Sequence, residues 1–429
     1  MKNNKSSQSI SSLIHFLEQS PTPFHAILEM SRSLEEAGFE KLDEGKIWTA
    51  QAGGKYFVTR NGSSHIAFKM GKKYPEESGW KMLGTHTDSP CLKLKAQGIK
   101  KFRNYTQAGV EVYGGAILHT WFDRDLSLAG RISCLSEKGK TESHLLNFKR
   151  PIAIIPSLAI HLHRNVNENF SVNAQKDLPA ILLQSEKKLS LEEILLEELK
   201  EQKLAKNIKK ILAHELSFYD TQSPSLVGWE EQFLASARLD NLLSCWIGLQ
   251  ALLESKGSSP CLLVCNDHEE VGSVSASGAE GPFLKSILQR INPHSEDFAR
   301  AMHQSLFISC DNAHGIHPNY PEKHDEQHAP LLNAGPVIKI NSNQRYASNS
   351  ESSAEFVSLC EEEKIPYQHF MVRSDMACGS TIGPLTAANL GVKTVDIGIP
   401  TFGMHSIRET AGVEDIASLQ KILTTYFSS

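Results

Sequence analysis

The stretch LDNLLSCWIGLQALLESKGSSPCLLVCNDHEEVGS, residues 239–273, decides the fold. Leu239–Glu254 has the spacing of an amphipathic helix, and Cys261–Cys265 is an unbroken apolar run of strand length, as expected for a strand buried on both faces. Acidic and imidazole groups, Asp267-His268-Glu269-Glu270, follow that run directly. Downstream, Ser305–Cys310 and Val337–Asn341 read as strands, Ala354–Glu362 as a helix, Thr394–Ile399 as a strand and Val413–Tyr426 as a helix. Upstream, helices are expected over Ser12–Gln19 and Phe24–Ala37, the second stopped by Gly38. Asn61-Gly62 marks a hairpin between Lys55–Arg60 and His65–Met70, and Trp80–Gly84 is a short apolar run ending in Thr85-His86-Thr87-Asp88. Such alternation implies an α/β fold with a mixed, mainly parallel sheet sandwiched by helices.

Between about residues 97 and 225 the texture changes. Val110–Ile117, Ala129–Cys134 and Pro151–His163 alternate or run apolar between turn residues, which reads as β-rich. A capping box at Ser190-Leu191-Glu192-Glu193 opens a polar helix whose apolar spacing carries it to about Ala213. The chain therefore divides into a first α/β part (1–96), an inserted β-rich domain (97–228) and a second α/β part (229–429). A length of 429 residues fits more than one domain.

Lys and Arg number 44 against 49 Asp and Glu, so the net charge of −5 gives no basic footprint for nucleic acid. Hydrophobic residues make up 40% and charged residues 22%, an ordinary globular balance. No run approaches 18 apolar residues, so no membrane span is expected. The first twenty residues lack the apolar core of a signal peptide, and the eight scattered cysteines suit reduced thiols in the cytoplasm.

Five segments bearing acids or histidines stand at the ends of apolar runs: Thr85–Asp88, Arg238–Asn241, Asp267–Gly272, Ser309–Asn312 and Gly403–Ser406. In an open α/β sheet the carboxyl ends of the strands form the ligand crevice. Carboxylates mixed with imidazoles suit Zn²⁺ or Mn²⁺. Asp88, two residues past His86 on an extended chain, would hold the free nitrogen of a ligand histidine; alternatively the two are a strand-end capping pair. Glu269 and Glu270 would face different ways on an extended chain, letting one bind metal and the other act as a base. The plainer alternative is two solvated glutamates in a loop. In the run Asp311–His328, only Asp311 is expected to be a ligand; His314, His317, His324 and His328 read as loop or interface residues. Lys339 lies inside an apolar strand, where it either snorkels outward or awaits an anion.

Taken together, GTHTDSPCLKLK, SARLDNL, DHEEVGS, HPNYPEKH, GPVIKINSNQRYAS, CGSTIGP and MHSIRE, in this order from residue 84 to 409, resemble the aspartyl aminopeptidase family of dinuclear zinc exopeptidases. The resemblance implies a zinc-peptidase α/β domain interrupted by a β-rich oligomerisation domain, and a tetrahedral dodecamer. It implies two Zn²⁺ per subunit, with Mn²⁺ or Co²⁺ as alternatives at one site. His86 and Asp311 match ligands of one zinc, Asp240 the bridging carboxylate, and Glu270 and His405 ligands of the other. Glu269 matches the general base, Asp88 the residue behind His86, Tyr346 the hydroxyl at the oxyanion, and Lys339 the receptor for an acidic side chain. His161, in AIHLHRN, is similar to the histidine sent in by a neighbouring subunit.

The implied reaction removes Asp or Glu from peptides with a free amino terminus, through a water shared by the two metal ions and deprotonated by Glu269. Three rivals remain at this level: an aminopeptidase of the same fold with neutral or broad preference, a zinc deacylase or carboxypeptidase, and a peptide-binding shell without activity.

Overall fold

A computed structural model describes residues 4–186, 190–204 and 207–429. By its contacts the chain forms two units, one of residues 1–88, 224–404 and 409–429, the other of residues 89–223 and 405–408.

The first unit is built on a nine-stranded sheet in the order Glu40–Lys41, Lys55–Arg60, Ser64–Lys69, Cys261–Asn266, Lys81–His86, Leu306–Cys310, Lys393–Gly398, Val337–Lys339, Gln368–Phe370. Four neighbouring strands, Cys261–Asn266 through Lys393–Gly398, run parallel, so their carboxyl ends lie along one edge. Their side chains alternate between two cores. Cys261, Leu263, Cys265, Leu83, Ile308 and Cys310 join the cluster that includes residues of the helices Asn4–Gln19, Pro23–Glu36, Leu239–Glu254 and Val413–Ser428. Leu262, Val264, Met82 and Phe307 join the cluster that includes residues of Phe283–Ile291, Ser295–Gln304 and Ile382–Leu390. Burial on both faces is why these strands read as continuous apolar runs.

The helix Leu239–Glu254 is not amphipathic: Leu239 to Leu249, Ala251 and Leu252 are all buried. At Gly248 an added Cβ would come within 2.7 Å of Leu83 Cδ2 and 3.0 Å of Leu263 Cδ1, so glycine lets this helix lie close against two strands. The expected hairpin is present. Asn61 and Gly62 both take left-handed φ angles, 55° and 67°, which these two residues tolerate. A smaller five-stranded sheet joins Ser225–Val227, Phe233–Ser236, Glu409–Gly412, Pro400–Phe402 and Ala313–His314.

The second unit is an antiparallel six-stranded sheet in the order Thr141–Asn147, Leu126–Ser136, Ile208–Asp220, Cys91–Phe102, Tyr105–Tyr113, Ala180–Gln184. The polar helix starts as expected at the Ser190–Glu193 capping box but spans only Leu191–Glu201. Residues 205–206, within the helix expected to reach Ala213, lie outside the described residues, and from Ile208 the chain is a strand. Register shifts between Ile208 and Lys210 and between Ile211 and Ala213 explain the misreading. Each bulge breaks the period of two, leaving Ile208, Ile211 and Leu212 at helical spacing. Pro151–His163 is likewise no strand: Ala153 and Ile154 make isolated bridges and the rest is irregular. Pro151 and Pro156 lack the amide a ladder needs.

Candidate metal centre

The sheet edge where the parallel strands end carries the charged groups. His86 closes its strand, and its Nε2 lies 3.4 Å from Asp240 Oδ1 and 3.4 Å from Asp311 Oδ1. All three residues are buried, and their donor atoms lie within 4.8 Å of one another. Donor atoms of His86, Glu269 and Glu270 form a second such group. Burial by itself would lower the His86 pKa, but the carboxylates of Asp240, Asp311 and Asp88 outweigh it and hold the imidazole well above its usual range. Asp311 Oδ1 is buried and accepts no hydrogen bond among the described residues. Carboxylate oxygens gathered on one imidazole nitrogen are donor types that fit zinc.

Asp88 serves both sides. Its carbonyl lies 3.1 Å from His86 Nδ1 and its carboxylate Oδ1 lies 3.5 Å from the same nitrogen. The two carboxylate oxygens also accept the amides of Glu269 and Glu270, each at 3.1 Å. The chain at the two glutamates is therefore not extended: Glu269–Val271 is a single 3₁₀ turn wrapped on the Asp88 carboxylate. Neither glutamate is fully exposed. Burial pushes the Glu269 carboxyl up to about 8; His86 opposes the shift, and Asp311, Glu270 and Asp88 add to it.

Lys339 does not snorkel outward. It is 2% exposed, and its Nζ lies 3.3 Å from Asp311 Oδ2 and 3.0 Å from the Asn312 carbonyl, over the Tyr346 ring at 5.2 Å. Tyr346 is buried beside Val337, Phe370 and Cys378, and burial pushes its phenol well above the usual range.

Two further proposed residues, His161 and His405, belong by their contacts to the second unit. His161 is exposed in a turn of the second unit. His405 also belongs to the second unit, with φ 69° and Nδ1 3.2 Å from the Gly115 carbonyl. None of His314, His317, His324 or His328 joins a candidate metal group among the described residues. His324 Nε2 accepts the His317 amide, and His328 pairs with Asp325 at 2.7 Å.

One residue with a bearing on the site had no signal in the sequence. Asp396, buried in its strand, accepts the Ala347 amide at 2.6 Å and the Thr381 hydroxyl at 2.5 Å, joining the RYAS and CGSTIGP segments next to Tyr346. It sits mid-strand and not after a strand end, so it resembles any core position.

The parallel sheet with carboxylates and a histidine at its carboxyl edge defines a metallohydrolase class of site. Comparison with known proteins narrows it. Residues 16–427 match the family model described as aminopeptidase I zinc metalloprotease, M18. The chain is 56% identical over 422 residues, 98% of both chains, to a probable M18 family aminopeptidase 2 of Ectopseudomonas mendocina. A chain in the solved complex of Ape4 and Nbr1 superposes with a TM-score of 0.95 at 38% identity, covering 99% of this chain and 86% of that one. The mApe1 dodecamer of S. cerevisiae superposes with a TM-score of 0.86 at 26% identity, covering 99% and 97%. The chain belongs to the M18 family and is a zinc-dependent aminopeptidase.

Proposed function

We propose that this M18 aminopeptidase is dinuclear, removes Asp or Glu from the free amino terminus of peptides, and works as a cytoplasmic homo-oligomer. The observation that carries the reading is the convergence of His86, Asp240 and Asp311 within 4.8 Å, beside a Glu269 carboxyl raised to about 8. His86, Asp240 and Asp311 would hold one zinc; Asp240, Glu270 and His405 would hold the second ion, Zn²⁺ or alternatively Mn²⁺ or Co²⁺. When bound, the ions supply Lewis acidity toward the peptide carbonyl and the attacking water.

The chain's own residues then act on protons and charge. Glu269 takes the proton from the attacking water and returns it to the leaving amine, a double role its place beside His86 and Glu270 allows. Asp88 keeps Glu269 and Glu270 in register by accepting both their amides. Tyr346, held protonated by burial, donates to the oxyanion. Lys339 brings a buried positive charge that favours an acidic first residue. An ammonium has three N–H donors, and Asp311 and Asn312 account for two. His161 would enter from a neighbouring subunit, in an assembly like the yeast dodecamer.

The contact of Lys339 with Asp311 also favours a second reading, in which the lysine serves the metal ligand and specificity is neutral or broad. Zinc content and turnover of Lys339→Ala separate the two. Loss of Asp and Glu turnover with zinc retained supports the acidic pocket. Loss of zinc together with all turnover supports the second reading.

A further inference from the structure

We infer that Glu409 is a positioning residue for the metal centre: its buried carboxylate fixes the backbone of Asp240 so that the Asp240 side chain faces His86. The inference rests on the reading of Asp240 as a metal ligand. Asp240 lies in the first turn of the helix Leu239–Glu254 yet is not helical, with φ −82° and ψ 105°; Asn241 departs as well, with φ −125° and ψ 24°. Arg238, just before, takes a left-handed φ of 61°. The first amides of a helix have no partner within it, so something outside must satisfy them and choose their direction.

Here that partner is Glu409 Oε2, which accepts the Asp240 amide at 2.8 Å. Glu409 and Asp240 are 2% and 3% exposed, so the bond is shielded from water and charge-assisted. Glu409 is itself held: it opens the strand Glu409–Gly412 and pairs in register with Ser236, four residues before Asp240. The metal-facing carboxylate is thus set from a second strand, not by its own helix. Without the acceptor, the Asp240 amide would be buried and unsatisfied, and relaxing toward ordinary helix would swing Oδ1 away from His86 Nε2. Partners that orient metal ligands typically carry a roughly 10- to 100-fold share of metal affinity.

The test uses full-length protein and reads zinc retained per subunit across graded chelator concentrations, together with the melting temperature of the zinc-stripped protein. Glu409→Ala is expected to lose zinc at roughly 10- to 100-fold lower chelator, with a stripped melting temperature lowered by no more than the few degrees that one unsatisfied buried amide costs. Glu409→Gln keeps an oxygen acceptor and is expected to retain zinc within a few-fold of native. If the alanine variant does not fold, Glu409→Asp keeps the charge but draws the acceptor back by one methylene, and is expected to lose zinc about tenfold more easily. Native-like retention in Glu409→Ala or, should that not fold, in Glu409→Asp overturns the inference. Asp240→Asn is the control: if it retains zinc like the native chain, the ligand reading has failed, separately from the role of Glu409.

Discussion

Glu269 and Glu270 are neighbours on one 3₁₀ turn, and both amides end on the same carboxylate, Asp88. Glu269 shares a donor group with His86 and Glu270, the place a proton-transfer residue needs, and Glu269→Gln is expected to cut kcat by roughly 10²- to 10⁴-fold while zinc content stays native. Loss of zinc on that change would mean that the two glutamates have exchanged roles. Lys339→Ala is expected to reduce turnover of Asp substrates about tenfold or more beyond any loss on Leu, because a desolvated charge contact contributes a few kcal/mol. Kinetics on the two substrates check it. The grouping of His86, Asp311, Glu269 and Glu270 was legible because each closes or follows a strand of the parallel sheet, where charges converge, whereas Asp240 enters from the first turn of a helix. The Asp88 contacts were half legible. The i, i+2 relation to His86 can be read along a strand, but the grip on two amides nearly two hundred residues away cannot. Asp396 and Glu409 were not legible as site residues, since their importance lies in which backbone amide they meet.

Within the elements, the strand Ser64–Lys69 places His65 in the interior, fully buried, with neither ring nitrogen hydrogen-bonded among the described residues. Burial pushes its pKa down to about 3. Between that value and the ordinary 6.5 the unfolded chain binds a proton the native one refuses, so stability rises with pH in this window and is lost on acidification. Each pH unit below 6.5 removes about 1.4 kcal/mol until pH approaches 3. His65→Leu is expected to be near neutral at pH 7.5 and to gain relative stability by pH 5, measured as denaturant midpoints of both proteins. No gain at pH 5 would mean that the ring finds a partner on protonation. The elements themselves were readable to the extent that their period was regular. The strands ending at His86, Asn266 and Cys310 and the helices Leu239–Glu254 and Val413–Ser428 lie where their patterns place them, within a few residues. The strand Ile208–Asp220 was read in part as helix because its two bulges mimic helical spacing.

At the scale of the whole molecule, the family assignment rests on a match across residues 16–427, so the chemistry of the edge and the fold that builds it come as one inheritance. An assembly like the yeast relative's would contain twelve chains of 47.5 kDa, and native mass spectrometry is expected to find that mass. A stable monomer with full activity would remove His161 from the proposed site. No described helix is long and apolar enough to cross a membrane. The central claim joins a metal centre to an acidic first residue, and initial rates on Asp, Glu, Leu, Lys and N-acetyl-Asp substrates, with and without a chelator, test both at once. Chelator-sensitive cleavage of Asp and Glu, abolished by acetylation and far slower on Leu and Lys, is the expected result. Cleavage led by Leu, or cleavage of Asp that acetylation leaves intact, would contradict it.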